Sequence, residues 1–277
     1  MAALNYIFSA FLATMLQAAI ILGPALALGL AMNFLARRVQ VAAARLVGLK
    51  FYIYATAPGT ICHELGHAIF AKLFRHRIKE MKLFSPSPDG TLGYVAHAWN
   101  RRSLYQNIGN FFIGTGPLWF GALVLWLLAL LLLGGDAWSA VATAPAMEPT
   151  QAGATQWLLT AAQTVWASGW HLASAIVSMM DLTSWTTYVF IYLVVAIGSH
   201  VSLSPPDLAG AGRGLAVLLA TLGIFNLATI WIGDFATSST MWLSSRMGVF
   251  YGIMVFVLIA NLAVAMILVP LSKVLRG

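Results

Sequence analysis

Residues 61 to 68 read ICHELGHA, with His63 and His67 four positions apart and Glu64 directly after the first. On an α-helix, positions four apart lie one above the other on a single face, so both imidazoles can reach one metal ion. Glu64 then stands beside that ion, where it can take a proton from a water the metal activates. Three protein ligands plus a water make a catalytic zinc site, and zinc lowers the pKa of that water to about 7. The pattern encodes peptide hydrolysis, with His63 and His67 as ligands, Glu64 as base and Zn2+ as cofactor. Chance is a poor alternative, since the chain has only 6 His and 8 acidic residues. Ionisable groups inside a membrane span are also costly, roughly 3 kcal/mol each on insertion scales. The single cysteine, Cys62, leaves no internal disulfide framework and too few thiols for a Cys-rich metal site.

The third ligand must come from elsewhere in the chain, and the candidates are His76, His97, His171, His200, Asp181, Asp207 and Asp234. Asp207 is the choice, with His200 as runner-up. In HVSLSPPDLAGAG two prolines break a membrane run at its cytoplasmic end, the side on which the HELGH helix also ends. The same residues spell a helix start, with Ser204 as N-cap, Pro205 as the first helical residue and Asp207 as a third-position carboxylate. Both roles are compatible. His97 is expected on the substrate side or on a polar strand, His171 on the outer surface, and His76 in a basic cluster facing headgroups. Asn107 and Asn110 are expected as polar groups at a helix end rather than as lining of a catalytic lumen.

These residues sit in a chain of 277 residues that is 60% apolar and 8% charged, where soluble domains average about a quarter charged. That excludes a water-soluble globule. The net charge of +7 is assigned to lipid headgroups rather than to nucleic acid. Apolar runs at 5–36, 51–74, 109–134, 184–203, 211–233 and 248–271 give six candidate spans, with Pro24 a kink in the first. After HELGH, IKEMKLF, SPSPDG and TLGYVAHAW read as strand, turn and strand. The expected fold is an all-α polytopic membrane protein of about six transmembrane helices with a short membrane-associated β-hairpin. It forms one integral membrane domain: an anchor and interfacial segment (1–50), a zinc-site core (51–213) and C-terminal helices (214–277).

The N-terminal run has no Lys or Arg before it and exceeds a signal-peptide core, so it reads as a retained anchor. The basic cluster over 72–108 and the basic C-terminus are expected in the cytoplasm, and 135–183, which lacks Lys and Arg, outside. Arg37, Arg38, Arg45 and Lys50 conflict with a full span at 51–74, and the denser 72–108 cluster decides the orientation. The alternative is that 51–74 only dips into the bilayer. RRVQVAAARLVGLK suits an interfacial helix, and residues 152–180 suit one lying on the outer interface. Pro58 and Gly59 open or start the HELGH helix.

Residues 51–213 resemble the site-2 protease family of intramembrane zinc metalloproteases. The likeness rests on HELGH in a membrane helix, the hairpin after it, a Gly-Pro helix (GTGPLWFGAL) and an Asp-bearing segment near the end of a later helix. It implies that His63, His67 and Asp207 hold zinc, that Glu64 is the catalytic base, and that the hairpin edge offers hydrogen bonds to an unwound substrate. Expected partners are the lipid bilayer and a membrane protein or peptide substrate. SPPDLAG departs from the family pattern, which has an Asn and a Pro ahead of an Asp-Gly pair, and places the chain in a divergent branch. No PDZ-like insert is present, so substrate choice falls to the membrane core or to partners. A metal transporter or an inactive zinc-binding scaffold is the alternative class. Transporters need ionisable groups on several spans, and those after 213 are nearly bare.

Overall fold

The computed structural model of the chain describes residues 2–134, 154–229, 231–232 and 235–276. The ligand candidate Asp234 and the first part of the 135–183 segment, residues 135–153, lie outside these residues. Two helices open the chain, α1 (Ala2–Ile21) and α2 (Gly23–Val47), followed by a short α3 (Leu49–Ala55) and the HELGH helix α4 (Ala57–Leu73). The hairpin strands are β1 (Arg77–Lys82) and β2 (Tyr94–Ala98). Five helices complete the description: α5 (Leu104–Leu132), α6 (Ala154–Ser178), α7 (Trp185–Gly198), α8 (Pro205–Thr229) and α9 (Phe235–Arg276).

Helices dominate, and among the described residues four segments are long and apolar enough to cross a membrane: Leu4–Ile21, Leu104–Leu132, Pro205–Thr229 and Phe250–Leu275. The fourth expected run is helical over 14 residues, about 21 Å of rise against roughly 30 Å of hydrocarbon. The second expected run is interrupted, because Pro58 has no N–H to continue a helix ladder and instead occupies the first turn of α4. Pro24 likewise sits in the first turn of α2, so the kinked first run is two helices. α2 then continues through the basic segment as far as Gly48, whose φ of 90° ends it. Arg37, Arg38 and Arg45 therefore belong to a helix whose Ala36, Val39, Ala42 and Ala43 are buried.

Apolar packing holds the bundle. Met32 of α2, Leu118 and Leu125 of α5, Phe190 of α7 and Tyr251 and Val257 of α9 share one buried cluster. The outer face is apolar too, with Leu131, Ile224, Met266 and Ile267 exposed, as lipid contact requires. α6 forms within the segment expected to be an interfacial helix, and its Gly169 lies against Val255 of α9.

Small residues set the distances around HELGH. A Cβ on Gly66 would lie 2.9 Å from backbone atoms of Gly116 and Pro117, so α4 and α5 meet backbone to backbone. Gly114 of α5 similarly admits Ala211 and the Asp207 carbonyl of α8, and Gly59 of α4 admits the Ala196 carbonyl of α7. Two helices, α7 and α8, thereby close on α4 and α5 where the histidines lie.

The hairpin forms as expected. Its strands pair antiparallel with Arg77 opposite Ala98 and Ile78 opposite His97, and a register shift falls between Ile78 and Glu80.

Candidate metal centre

α4 turns His63 and His67 to the same side, as four-residue spacing requires. Nδ1 of His63 lies 2.8 Å from the His200 carbonyl oxygen, and Nδ1 of His67 lies 2.8 Å from the Ile113 carbonyl oxygen. A carbonyl only accepts, so both Nδ1 atoms carry a hydrogen and donate it. Each neutral ring is left with a bare Nε2, and the two Nε2 atoms are 3.1 Å apart.

Asp207 reaches the same point from the start of α8. Its Oδ1 is 3.1 Å from His67 Nε2 and its Oδ2 is 3.7 Å from His63 Nε2. The carboxylate is held in place by Ser204, whose Oγ–H and backbone N–H donate to Oδ2 over 2.6 and 3.0 Å. The Asp207 N–H donates back to Ser204 Oγ over 3.3 Å. This reciprocal pair is a capping box, so the cap and the candidate ligand are one residue, with Oδ1 left for His67.

Two lone pairs and a carboxylate thus converge on one small volume. They repel one another unless a proton or a metal cation lies between them. Separations of 3.1 to 3.7 Å bracket the edge of about 3.3 Å expected for a tetrahedron with bonds of about 2.05 Å to zinc. Carbonyl acceptors on the far ring nitrogens are the usual outer support of metal-bound histidines. Two nitrogens and one carboxylate oxygen suit zinc, and the residues present fit that ion.

Glu64 is buried beside them. Two cavities meet there, of about 370 and 520 Å3, and both are lined by His63, Glu64, Gly93, Ser204 and Pro206. The first also takes in His67, Asp207 and the hairpin residues Tyr94, Val95 and His97. The second extends toward Asn33 and Arg37 of α2. At Gly93 a Cβ would come within 2.8 Å of Glu64 Cγ, so the hairpin backbone rests on the glutamate side chain.

The remaining candidates fall elsewhere. The His200 ring turns away, with Nδ1 near the Ala196 carbonyl and Ser199 Oγ, and only its backbone carbonyl serves the site. Asp181 binds Thr183 in the turn before α7. His171 lies half-buried on α6. His76 departs from its expected place facing headgroups: it is buried, with its ring between the Gln106 carbonyl and His97, because the chain folds back at Arg75 under the start of α5. Asn107 bonds the Arg101 and Ser103 carbonyls at the helix start, as expected. Asn110 is instead buried and lines the first cavity, beside the candidate ligands. The Ile113 and His200 carbonyls and the Gly93 contact left no signal in the sequence, since backbone groups belong to every residue type.

No protein-family model matches the chain, and neither a curated protein nor a solved structure is found to be similar to it.

Proposed function

We propose that this chain is an intramembrane zinc metalloprotease of the site-2 protease kind, cutting peptide bonds of substrates within or beside the bilayer. One observation carries this reading: two imidazole Nε2 atoms and a carboxylate face a common point beside a buried glutamate, among apolar helices long enough to cross a membrane. His63, His67 and Asp207 would hold the ion. Bound there, zinc supplies Lewis acidity and makes a water nucleophilic near neutral pH.

The chain's own groups supply the rest. Glu64 takes the proton of the attacking water on a carboxylate oxygen and returns it to the departing amine. The His200 and Ile113 carbonyls hold the rings so that Nε2 faces inward. Peptide groups in a membrane helix are shielded by their own hydrogen bonds, so the substrate must be extended before attack. The β2 backbone beside Glu64 offers hydrogen bonds to such an extended segment. On this reading the chain has about six spans, with 72–108 and the C-terminus cytoplasmic and 135–183 outside.

The test uses protein purified in detergent, zinc measured by elemental mass spectrometry, and cleavage of a membrane-peptide library by wild type and Glu64→Gln. The reading predicts about one zinc per chain in both proteins and cleavage at least about a hundredfold slower in the variant. Equal cleavage by the two would refute it, and zinc movement across vesicles abolished in His63→Ala would favour transport instead.

A further inference from the structure

Behind the metal-side cavity lies a second histidine pair that the proposed chemistry does not use. His76 Nε2 is 2.8 Å from the Gln106 carbonyl oxygen, and His76 Nδ1 is 2.9 Å from His97 Nδ1. The tautomers follow from the acceptor. A carbonyl cannot donate, so His76 Nε2 carries the hydrogen; Nδ1 of the neutral ring is then bare and must accept; His97 Nδ1 therefore donates. The neutral His97 ring keeps a bare Nε2 as its remaining polar atom, and this ring lines the cavity shared by His67, Glu64 and Asp207.

The surroundings fix this order. Trp99 stacks on His76 at 16° with 5.8 Å between ring centres. The Gln106 side chain donates to the Arg75 carbonyl and accepts from the Asn100 N–H, so one residue at the start of α5 ties the chain before the hairpin to the chain after it. Tyr105 adds a bond to the Leu73 carbonyl at the end of α4. Burial, then the neighbouring His76 and His67, holds His97 at about 4, and burial lowers His76 too. Both rings are neutral at cellular pH, as the tautomer argument requires.

We infer that His76 is a positioning residue that pins β2 to the junction of α4 and α5 and holds His97 with its acceptor nitrogen toward the metal-side cavity, where it takes a backbone N–H of an extended peptide. The substrate half of this inference rests on the protease reading; the latch itself does not. Extended substrate segments expose N–H groups that need acceptors once removed from water. A neutral imidazole nitrogen beside the β2 edge supplies one.

The experiment compares wild type, His76→Phe, which keeps a planar ring without hydrogen bonds, and His76→Asn, which offers a donor and an acceptor. Nitrogen NMR of labelled histidine should show His97 protonated at Nδ1 and bare at Nε2 in wild type. In His76→Phe that preference should be lost, and amide exchange over 94–98 should quicken about tenfold, as expected for one buried hydrogen bond removed. His76→Asn should recover most of it. Zinc content should not change, and KM for library peptides should rise about tenfold in His76→Phe with kcat within about twofold. His97 protonated at Nε2, or hairpin exchange unchanged in His76→Phe, would overturn the latch. An unchanged KM would overturn the substrate contact. A wild type that cleaves nothing, with tautomer and exchange as stated, would refute the protease reading and leave the latch standing.

Discussion

Ser204 links the architecture of α8 to the candidate metal centre, so Ser204→Ala is a sharp perturbation. Its Oγ–H donates to Asp207 Oδ2 over 2.6 Å and accepts the Asp207 N–H over 3.3 Å. Hydrogen bonds to a charged group contribute about 1.5–3 kcal/mol, and loss of a serine N-cap costs about 1 kcal/mol. The backbone N–H of Ser204 still holds Oδ2 over 3.0 Å, so the carboxylate stays near the site but is less firmly oriented. Losing such outer support weakens metal binding about 10- to 100-fold, or about 1.4–2.8 kcal/mol. Competition against a chelating dye in detergent measures it. Ser184→Ala is the control, because the Ser184 hydroxyl caps α7 by accepting from the Thr186 N–H and bonds none of His63, His67 and Asp207. The expected result is a 10- to 100-fold weaker zinc dissociation constant in Ser204→Ala only. Zinc affinity within about twofold of wild type in both variants would refute the reasoning that the Ser204 hydroxyl supports a zinc ligand.

Other outcomes follow from the same geometry. His200→Ala should keep zinc affinity within about threefold, since only the backbone carbonyl serves His63, whereas His63→Ala should lose at least about a hundredfold; equal losses in a dye titration would restore the His200 ring as ligand. Gly66→Ala puts a methyl group 2.9 Å from backbone atoms of Gly116 and Pro117, and overpacking of this kind costs about 1–3 kcal/mol. Thermal unfolding in detergent should fall by several degrees and zinc binding with it; an unchanged midpoint would mean the helices separate freely. The hairpin should also respond to acid. His97 is lowered from its ordinary 6.5 to about 4, by burial first and then by His76 beside it and His67 of α4. A base whose folded-state pKa is depressed binds more protons unfolded, so its stabilisation is complete above pH 6.5 and fades as pH falls toward about 4. Protection of the 94–98 amides, taken as the observed exchange rate relative to the intrinsic rate at each pH, should fall on acidification across that range; protection that does not change with pH would place His97 in water.

Much of the site was legible because helical geometry and capping are local. The spacing of His63 and His67 alone put both rings on one face, and Ser204 with Asp207 announced a capped helix that proved compatible with a free Oδ1. The hairpin, too, was carried by local turn residues. Features set by contact between distant segments were not legible. The break of the second run at Thr56 depended on whether Pro58 would start a helix or kink one, which periodicity cannot decide. His76 sat between Arg75 and Arg77 and read as part of a headgroup-facing cluster, while its burial was decided by Gln106, 30 residues away. Asn110 has the local pattern of a helix-end polar group, and nothing local shows that α8 and the hairpin close a cavity over it.

The central claim is that one zinc ion is held by two imidazoles and one carboxylate between α4 and α8. X-ray absorption at the zinc edge, on protein purified without added metal and then loaded with one equivalent, tests it directly. The account predicts one tightly held zinc per chain with two imidazole nitrogens in its inner coordination, and loss of that signal in the double variant His63→Ala, His67→Ala. Zinc that binds without imidazole scattering, or that binds equally to the double variant, would contradict it.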